Sequence, residues 1–303
     1  MNNGRGNIFV VLILLILASI GVGFYLYLKQ VPQQSLPQQT KANVKEKGDL
    51  VIAETTDEDG VKADTKEFQP FINYLVNKLG SYGIVKGKFI SVPTVAEMAQ
   101  LVRTGQVDMV VDSAFPVYEV SKLAGVTPIA DRWKGGAETY HTAIFVKKDS
   151  KISSVGDLLG KSLAFDSTSS TVGYFLPKAE LIQEGYSLQK NEKTSDPCPA
   201  RVICYVFVHG NVYDVVAHNI TPAGAESELE IDAFFKNNID NYRMIWRSPD
   251  IYRFLVATSP QMSSSLRSAI ETVLVTMHTT DEGRNVLSSF GDTTKFTAIE
   301  NTE

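Results

Sequence analysis

Apolar runs of strand length alternate with segments of helical periodicity over residues 49–111, and this alternation restricts the possible folds more than any other feature. Three predicted strands and two predicted helices follow one another at 49–54, 68–79, 88–92, 94–105 and 107–111. Thr94 and Glu97 form a capping-box pattern at the start of the second helix. The order strand–helix–strand–helix–strand implies parallel pairing with crossover helices, so the sequence predicts an α/β fold.

The remaining strands and helices are predicted at less regular intervals. Strands are expected at 140–147, 163–165, 201–208, 243–246 and 254–257. Helices are expected at 118–123, 174–184, 213–218, 263–278 and 281–290. Ser113 to Tyr118 is expected to be a loop at the C-terminal end of a strand, where open α/β sheets bind ligands. Ser113 and Tyr118 are therefore candidate ligand contacts.

Composition bounds the size and the partners of this fold. The 303 residues suffice for one large domain or for two lobes with their own cores, and a hydrophobic content of 44% is typical of a globular protein. The net charge of −5 argues against nucleic acid as the main partner, because nucleic-acid-binding domains favour basic surfaces.

An uncharged apolar run near the N-terminus, Ile8–Leu28, is long enough to cross a bilayer, which takes roughly 20 apolar residues. The alternative is a cleaved signal peptide, but the apolar part of such a peptide is usually shorter and an A-x-A site should follow it. We therefore favour an uncleaved membrane anchor at 1–29, with Arg5 keeping its N-terminus in the cytoplasm. The Gln-, Pro- and Lys-rich segment 30–47 has too few large apolar residues to build a core and is predicted to be a tether.

A hydroxyl-rich turn is predicted within Ala164–Pro177, between an apolar strand that ends at Phe165 and a helix. Five consecutive Ser or Thr residues (167–171) are followed closely by Gly173. Backbone N–H groups at a helix start, together with short hydroxyl side chains, suit an oxyanion. The alternative is an ordinary Ser/Thr N-cap, which is the commoner role and is favoured on this stretch alone.

The sequence lacks the common motifs of enzymatic chemistry. The segment GDLLGKS (156–162) has three residues between its glycines where a P-loop needs four, and it precedes a strand instead of following one. The four histidines have no metal-ligand spacing with one another or with the two cysteines. We therefore predict no catalytic activity, no metal and no cofactor. Cys198 and Cys204 form either a hairpin-closing disulfide or two buried thiols.

Seven segments occur in an order that is more informative than any one of them. They are FQPFINYLVNKLG (68–80), VRTGQVD (102–108), GAETYHTAIFVKKDS (136–150), ISSVGDLLGKSLAF (152–165), DSTSSTVGYFLP (166–177), HGNVYDVVAHNITPAGA (209–225) and YRMIWRSP (242–249). With these segments in this order, the chain from Asp49 to Phe296 resembles the substrate-binding proteins of phosphate, phosphite and phosphonate ABC importers.

The resemblance implies a bilobal type II periplasmic-binding-protein fold, preceded here by the predicted transmembrane helix. One lobe would comprise 48–139 and 250–303 and the other 140–249, with the ligand in the cleft between them. The implied function is that of a membrane-anchored, extracytoplasmic component of an ABC importer. Its soluble domain would be a monomer that binds a small phosphorus oxyanion or phosphonate and docks on a membrane permease. The alternatives are a ligand sensor or accessory binding protein on the same fold, with a different small anion, and an extracellular enzyme.

The resemblance also assigns ligand contacts. The turn residues expected to hold phosphoryl oxygens at the helix start are Ser170, Thr171, Val172 and Gly173, and the neighbouring Ser169 is a further candidate contact. Tyr140 and His209 match the tyrosine and the histidine that face the ligand in the family. Glu226 and Asp250 are candidates for holding an amino group of a phosphonate, although each is also interpretable as an ordinary surface carboxylate.

Four positions depart from the pattern of the family. Val95 and Val172 stand where the family has a tyrosine and a serine, and Asn219 and Pro222 stand where it has glycine and aspartate. Each charge-assisted hydrogen bond lost from a buried anion site costs roughly 1.5–3 kcal/mol. We therefore expect the ligand to be held with fewer side-chain donors, and with more backbone N–H groups, than the pattern implies.

Overall fold

The computed structural model describes residues 48–55, 61–235 and 241–299, without the side chains of 61–64. The predicted membrane anchor (1–29) and tether (30–47) lie outside these residues. Within the described ranges, no helix combines the length and the apolar character needed to cross a membrane.

The first of two six-stranded sheets takes its strands from both ends of the described chain. They are β1 (Asp49–Thr55), β2 (Lys86–Val92), β3 (Met109–Ser113), β4 (Thr127–Lys134), β13 (Phe254–Thr258) and β14 (Thr293–Ala298). Their order across the sheet is β14-β4-β13-β3-β1-β2. The strand β1 pairs in parallel with β2 and β3, as the alternation of strands and helices predicts, whereas β13 runs antiparallel to β3 and β4.

Helices cover this sheet and close its core. They are Val61–Lys78, Val95–Arg103, Ala114–Ala124, Ser264–Thr276 and Asp281–Ser288, with 3₁₀ turns at Gly80–Tyr82 and Met277–Thr279. The ring of Phe71 stacks on that of Phe290 at 4.4 Å, which packs the first helix against the C-terminal part of the chain. Thr94 caps its helix as predicted, because its Oγ1 accepts the N–H of Glu97. The loop predicted from Ser113 to Tyr118 is wrong, since the helix begins at Ala114.

The second sheet is built from the middle of the chain. Its strands are β6 (Thr142–Lys147), β7 (Ser162–Phe165), β8 (Leu188–Lys190), β9 (Ile203–Phe207), β10 (Ala223–Ser227) and β11 (Tyr242–Arg247), in the order β11-β6-β10-β7-β9-β8. Its helices are Leu176–Gln183, Val212–Ala217 and Glu228–Phe234, with a 3₁₀ turn at Val155–Leu158 and a π-helical turn at Thr171–Phe175. Of the two states considered for Cys198 and Cys204, the structure has the disulfide.

Two short strands lie where the chain passes between the sheets. β5 (Thr139–Tyr140) and β12 (Ile251–Tyr252) pair with each other in an antiparallel arrangement. Beside them, the His141 Nε2 atom lies 2.8 Å from the Asp250 carboxylate. The two segments that connect the sheets therefore run side by side and are held together by strand pairing and by the His141–Asp250 contact.

Candidate ligand-binding cleft

A cleft of about 310 Å³ lies between the two sheets. The residues that line it from the first sheet and its connections are Glu54, Thr55, Asp112, Ser113, Lys134, Arg253 and Phe254. Those from the second sheet and its connections are Tyr140, Asp166, Ser167, Ser169, Ser170, Thr171, Val172, Gly210, Tyr213, Glu226 and Glu230. Most follow or end a parallel strand, which is where open α/β sheets place their ligands.

The predicted hydroxyl-rich turn lines the cleft and also caps a helix, so the capping role is confirmed and the role in holding an oxyanion stays a prediction. The Ser170 Oγ atom accepts the N–H of Gly173 at 2.9 Å, which fixes the start of the π-helical turn. The Ser170 hydroxyl accepts in this bond and retains its own hydrogen as a donor, and Ser170 lines the cleft. The N–H of Gly173, predicted to hold the ligand, is instead spent on the cap, and Gly173 does not line the cleft.

Thr171 links the two walls of the cleft. Its Oγ1 atom donates to the Ser113 hydroxyl at 2.9 Å and accepts the backbone N–H of Phe115 at 3.0 Å. Next to these bonds, the rings of Phe115 and Phe175 stack with centroids 3.7 Å apart. The helix starts at Ala114 and Thr171 therefore face each other across the cleft, which brings Ser113 and the hydroxyl-rich turn together.

Two cationic side chains, Lys134 and Arg253, line the cleft from the first sheet. Burial, reinforced by nearby Arg132, lowers the pKa of Lys134, while Glu54 opposes that shift. Arg253 is buried and pairs with the Glu230 carboxylate at 3.1 Å. These two cations are the groups of the first sheet that suit an anion.

Three of the carboxylates in the cleft are held by groups of the protein. Asp112 accepts the backbone N–H of Thr55 at 2.7 Å, but its burial outweighs such bonds and raises its pKa to about 6. Asp166 accepts the N–H of Gly210 at 2.7 Å. Glu230 accepts a bond from the Tyr213 hydroxyl as well as from Arg253. Each of these carboxylates thus has a structural partner.

Glu226 differs from these three carboxylates. Its side chain is 6% exposed, and one oxygen, Oε1, accepts the N–H of Ser227 at 2.8 Å. Burial, together with the nearby charges of Glu230 and Asp166, raises the pKa of Glu226 well above its usual range. Burial and the charge of Glu226 in turn raise the pKa of the Tyr140 hydroxyl. Both side chains line the cleft.

Three further predicted contacts lie outside the cleft. The backbone of His209 has a φ of 44°, and its exposed ring lies 6.4 Å from that of Phe207, so its neighbour Gly210 lines the cleft instead. Tyr118 is 54% exposed on the helix Ala114–Ala124, under the ammonium group of Lys122. Asp250 is exposed and paired with His141 at the crossing between the sheets.

Several residues that line the cleft were not predicted from the sequence. Thr55, Asp112 and Asp166 end or follow parallel strands, so the rule that identified Ser113 could have found them. Lys134 and Arg253 offered no local signal, because they reach the cleft through antiparallel pairing. In that pairing Phe254 lies opposite both Ser113 and Arg132, which brings the start of β13 and the end of β4 to the same edge as the end of β3.

Comparison with protein families gives a match over most of the described chain. Residues 53–303 match a family described as ABC transporter, phosphonate, periplasmic substrate-binding protein. No curated protein sequence matches the chain.

Solved structures with a similar fold include XAC2383 from Xanthomonas citri, in one structure bound to chloride ion and in another bound to ATP. It is 25% identical, with TM-scores of 0.78 and 0.77, over 84% of this chain and 93% of that chain. PhnD1 from Prochlorococcus marinus (MIT 9301) in complex with methylphosphonate is 16% identical, with a TM-score of 0.58, over 84% of this chain and 93% of that chain. A binding protein component of an ABC phosphonate transporter (PA3383) from Pseudomonas aeruginosa is 18% identical, with a TM-score of 0.61, over 84% of this chain and 82% of that chain. These likenesses support the bilobal α/β periplasmic-binding-protein fold.

Proposed function

Because the chain belongs to the periplasmic substrate-binding protein family of phosphonate ABC transporters, we propose that it binds a small phosphorus oxyanion or phosphonate in the cleft between its two sheets. Members of this family are substrate-binding components of transporters and not enzymes. Because the family is periplasmic, membership implies an extracytoplasmic location for this chain. The ligand and its contacts are the parts that we propose.

The observation that most supports the proposal is that a cation lines one wall of the cleft and hydroxyl groups line the opposite wall. Lys134 lines the cleft on one side, and the hydroxyls of Ser169 and Ser170 line it on the other. A phosphonate oxygen between them would accept a charge-assisted bond from the ammonium group and neutral bonds from the hydroxyls, and Arg and Lys are the usual partners of such oxygens. Tyr140 would complete this set, and Thr171 would hold the turn against Ser113.

Three of the carboxylates in the cleft have hydrogen-bond partners in the protein, which reduces their conflict with an anionic ligand. Asp112, Asp166 and Glu230 each accept hydrogen bonds from protein groups, so they do not depend on a cation from the ligand. An aminoalkylphosphonate would nevertheless be accommodated if Glu226 were ionised. The choice between simple and amino-substituted phosphonates is therefore open to direct test.

Ligand binding would close two lobes, 48–139 with 250–303 and 140–249, by bending at the paired crossings β5 and β12. The closed form would dock on an ABC permease. The apolar segment 1–29 would anchor the protein in the membrane, and 30–47 would give the binding domain room to reach the permease.

A thermal-shift panel on the full-length protein tests the ligand class. The panel comprises phosphate, phosphite, methylphosphonate, 2-aminoethylphosphonate and sulfate, with ATP added because XAC2383 was solved with it. We expect stabilisation by at least one small phosphorus anion and none by sulfate. The absence of any response to phosphorus anions would contradict the proposed ligand class.

The transport role is tested separately in cells. Deletion of the gene should abolish uptake of the ligand that stabilises the protein. Uptake that persists in the deletion strain would favour the alternative of a membrane-anchored sensor or accessory binding protein.

A further inference from the structure

Glu226 lines the cleft, and its carboxylate, if ionised, would repel the proposed anionic ligand. It lies in β10, between β6 and β7, at the end of the sheet that faces the cleft. If a Cβ stood on Gly173, it would lie 2.8 Å from the Ser170 Oγ atom and 3.1 Å from the Glu226 Oε2 atom. The Glu226 carboxyl group therefore lies next to the hydroxyl-rich turn, and both Glu226 and Ser170 line the cleft.

The two oxygens of Glu226 have different surroundings. Oε1 accepts the N–H of Ser227, whereas Oε2 accepts no hydrogen bond from the described residues, and Glu226 is one of the residues that line the cleft. Among the residues that the structure describes, none forms an ion pair with Glu226. A side chain this buried, with one oxygen left toward a binding cleft, is positioned to interact with a ligand.

The groups that face Glu226 disfavour its ionised form. Asp166, which follows β7, and Glu230, on the helix Glu228–Phe234, bring further negative charge. Tyr140 and Tyr213 contribute neutral phenols, whose pKa values burial raises. Lys134 and Arg253 are the cations that line the cleft, and Arg253 is already paired with Glu230.

We propose that Glu226 meets the ligand as a neutral carboxylic acid, with Oε2 donating its proton in a hydrogen bond to one oxygen of the oxyanion. This inference rests on the proposed binding of a phosphorus oxyanion. A neutral acid adds a donor to the turn and removes the repulsion that a carboxylate would exert on an anion.

Binding is then linked to one proton. At a pH above the raised pKa of Glu226, the binding-competent protonated form is a minor species, and the apparent affinity falls by about tenfold per pH unit. Below that pKa, the residue is already protonated and contributes no pH dependence. Glu226 thus favours capture at pH values below its raised pKa.

Calorimetric titration of methylphosphonate into the full-length protein tests this inference, between about pH 6 and pH 10 and in two buffers of different ionisation enthalpy. Glu226→Gln is the informative variant, because its amide keeps an acceptor for Ser227 and a donor toward the ligand without titrating. The ratio of wild-type to E226Q affinity should fall at high pH by about tenfold per pH unit. The wild type should also take up a proton that E226Q does not. Ser169→Ala, a change in the same cleft that retains Glu226, should lower affinity by the same factor at every pH.

Several results would overturn the inference. An equal pH dependence in wild type and E226Q would show that Glu226 takes no part. A loss of tenfold or more for 2-aminoethylphosphonate but not for methylphosphonate in E226Q would show an ionised carboxylate that holds an amine. If E226Q does not fold, an infrared spectrum of the wild-type methylphosphonate complex without a protonated carboxylic acid band would exclude the donor. Failure of the wild type to bind any phosphonate at any pH would refute the proposed function itself.

Discussion

Two serine-rich turns flank the strand β7, and they use their hydroxyls in different ways. Before the strand, the half-buried Asp157 carboxylate accepts hydrogen bonds from the hydroxyls and the backbone N–H groups of both Ser153 and Ser154. After the strand, the turn 167–171 has hydroxyls that line the cleft and a threonine that bonds to the opposite wall. Two turns of similar composition therefore have different surroundings, and we propose ligand binding only for the second. The second turn follows the C-terminal end of a parallel strand, where ligands bind in open α/β sheets, and it faces a wall of the cleft that carries cations. The first turn has neither feature.

Thr171→Leu should have the largest effect, because it breaks the bonds to Ser113 and Phe115 and places a bulky apolar side chain in the cleft. We expect it to abolish the thermal stabilisation by methylphosphonate. Thr168→Leu is the matched control, since Thr168 is exposed in the same turn. Stabilisation that persists in the Thr171 variant would mean that the anion site lies elsewhere.

Lys134→Met tests whether ligand affinity depends on the wall of the cleft opposite the hydroxyl-rich turn. The loss of one charge-assisted hydrogen bond costs about 1.5–3 kcal/mol, which raises the Kd roughly 10- to 150-fold. Calorimetric titration measures this change. Lys86→Met, at an exposed position in the edge strand β2, should leave the Kd unchanged. Equal affinities for the two variants would contradict a role for the first sheet in holding the anion.

Ser170→Ala and Ser154→Ala compare the two turns directly. Each removes a helix or 3₁₀ cap, and loss of a cap costs about 1 kcal/mol of unfolding free energy. S170A should in addition weaken methylphosphonate binding by roughly five- to tenfold, because a donor to the ligand is lost. Chemical denaturation and titration of both variants measure the two effects. A similar loss of affinity in S154A would remove the distinction between the turns.

Asp157 gives the smallest effect and a pH dependence of known sign. Hydrogen bonds from Ser153, followed by those from Ser154, lower the pKa of Asp157 from its ordinary value of 3.8 to about 2. Its contribution to stability is therefore present above about pH 4 and is lost as the pH falls through 2. The difference in unfolding free energy between wild type and Asp157→Asn should shrink over that interval. A difference that is constant with pH would contradict the assigned hydrogen bonds, and ligand affinity at neutral pH should be unchanged.

The elements that the sequence predicted well are those with regular local patterns. The alternation over 49–111 led to the parallel pairing of β1 with β2 and β3, and the turn after Phe165 was found because its residues are consecutive. The start of the helix at Ala114 was missed because Pro116, within its first turn, reads as a loop signal although proline is tolerated there.

The rest of the site depends on contacts that no local pattern encodes. Lys134 and Arg253 meet the turn through antiparallel pairing between segments far apart in the chain. His209 was expected in the cleft because it matches the histidine of the family, but it is not among the residues that line the cleft, and its exposed ring lies near that of Phe207. The buried state of Glu226 follows from its place in a central strand, and its neighbours Glu230 and Asp166 come from different connections.

The proposal that both walls of the cleft hold the anion can be tested directly. Methylphosphonate is titrated into the full-length wild type and into a Lys134→Met/Ser170→Ala double variant. We expect one binding site in the wild type and loss of measurable binding when both walls of the cleft are altered, with thermal unfolding confirming that the variant is folded. Binding of equal strength in both proteins, or absence of binding in the wild type, would contradict it.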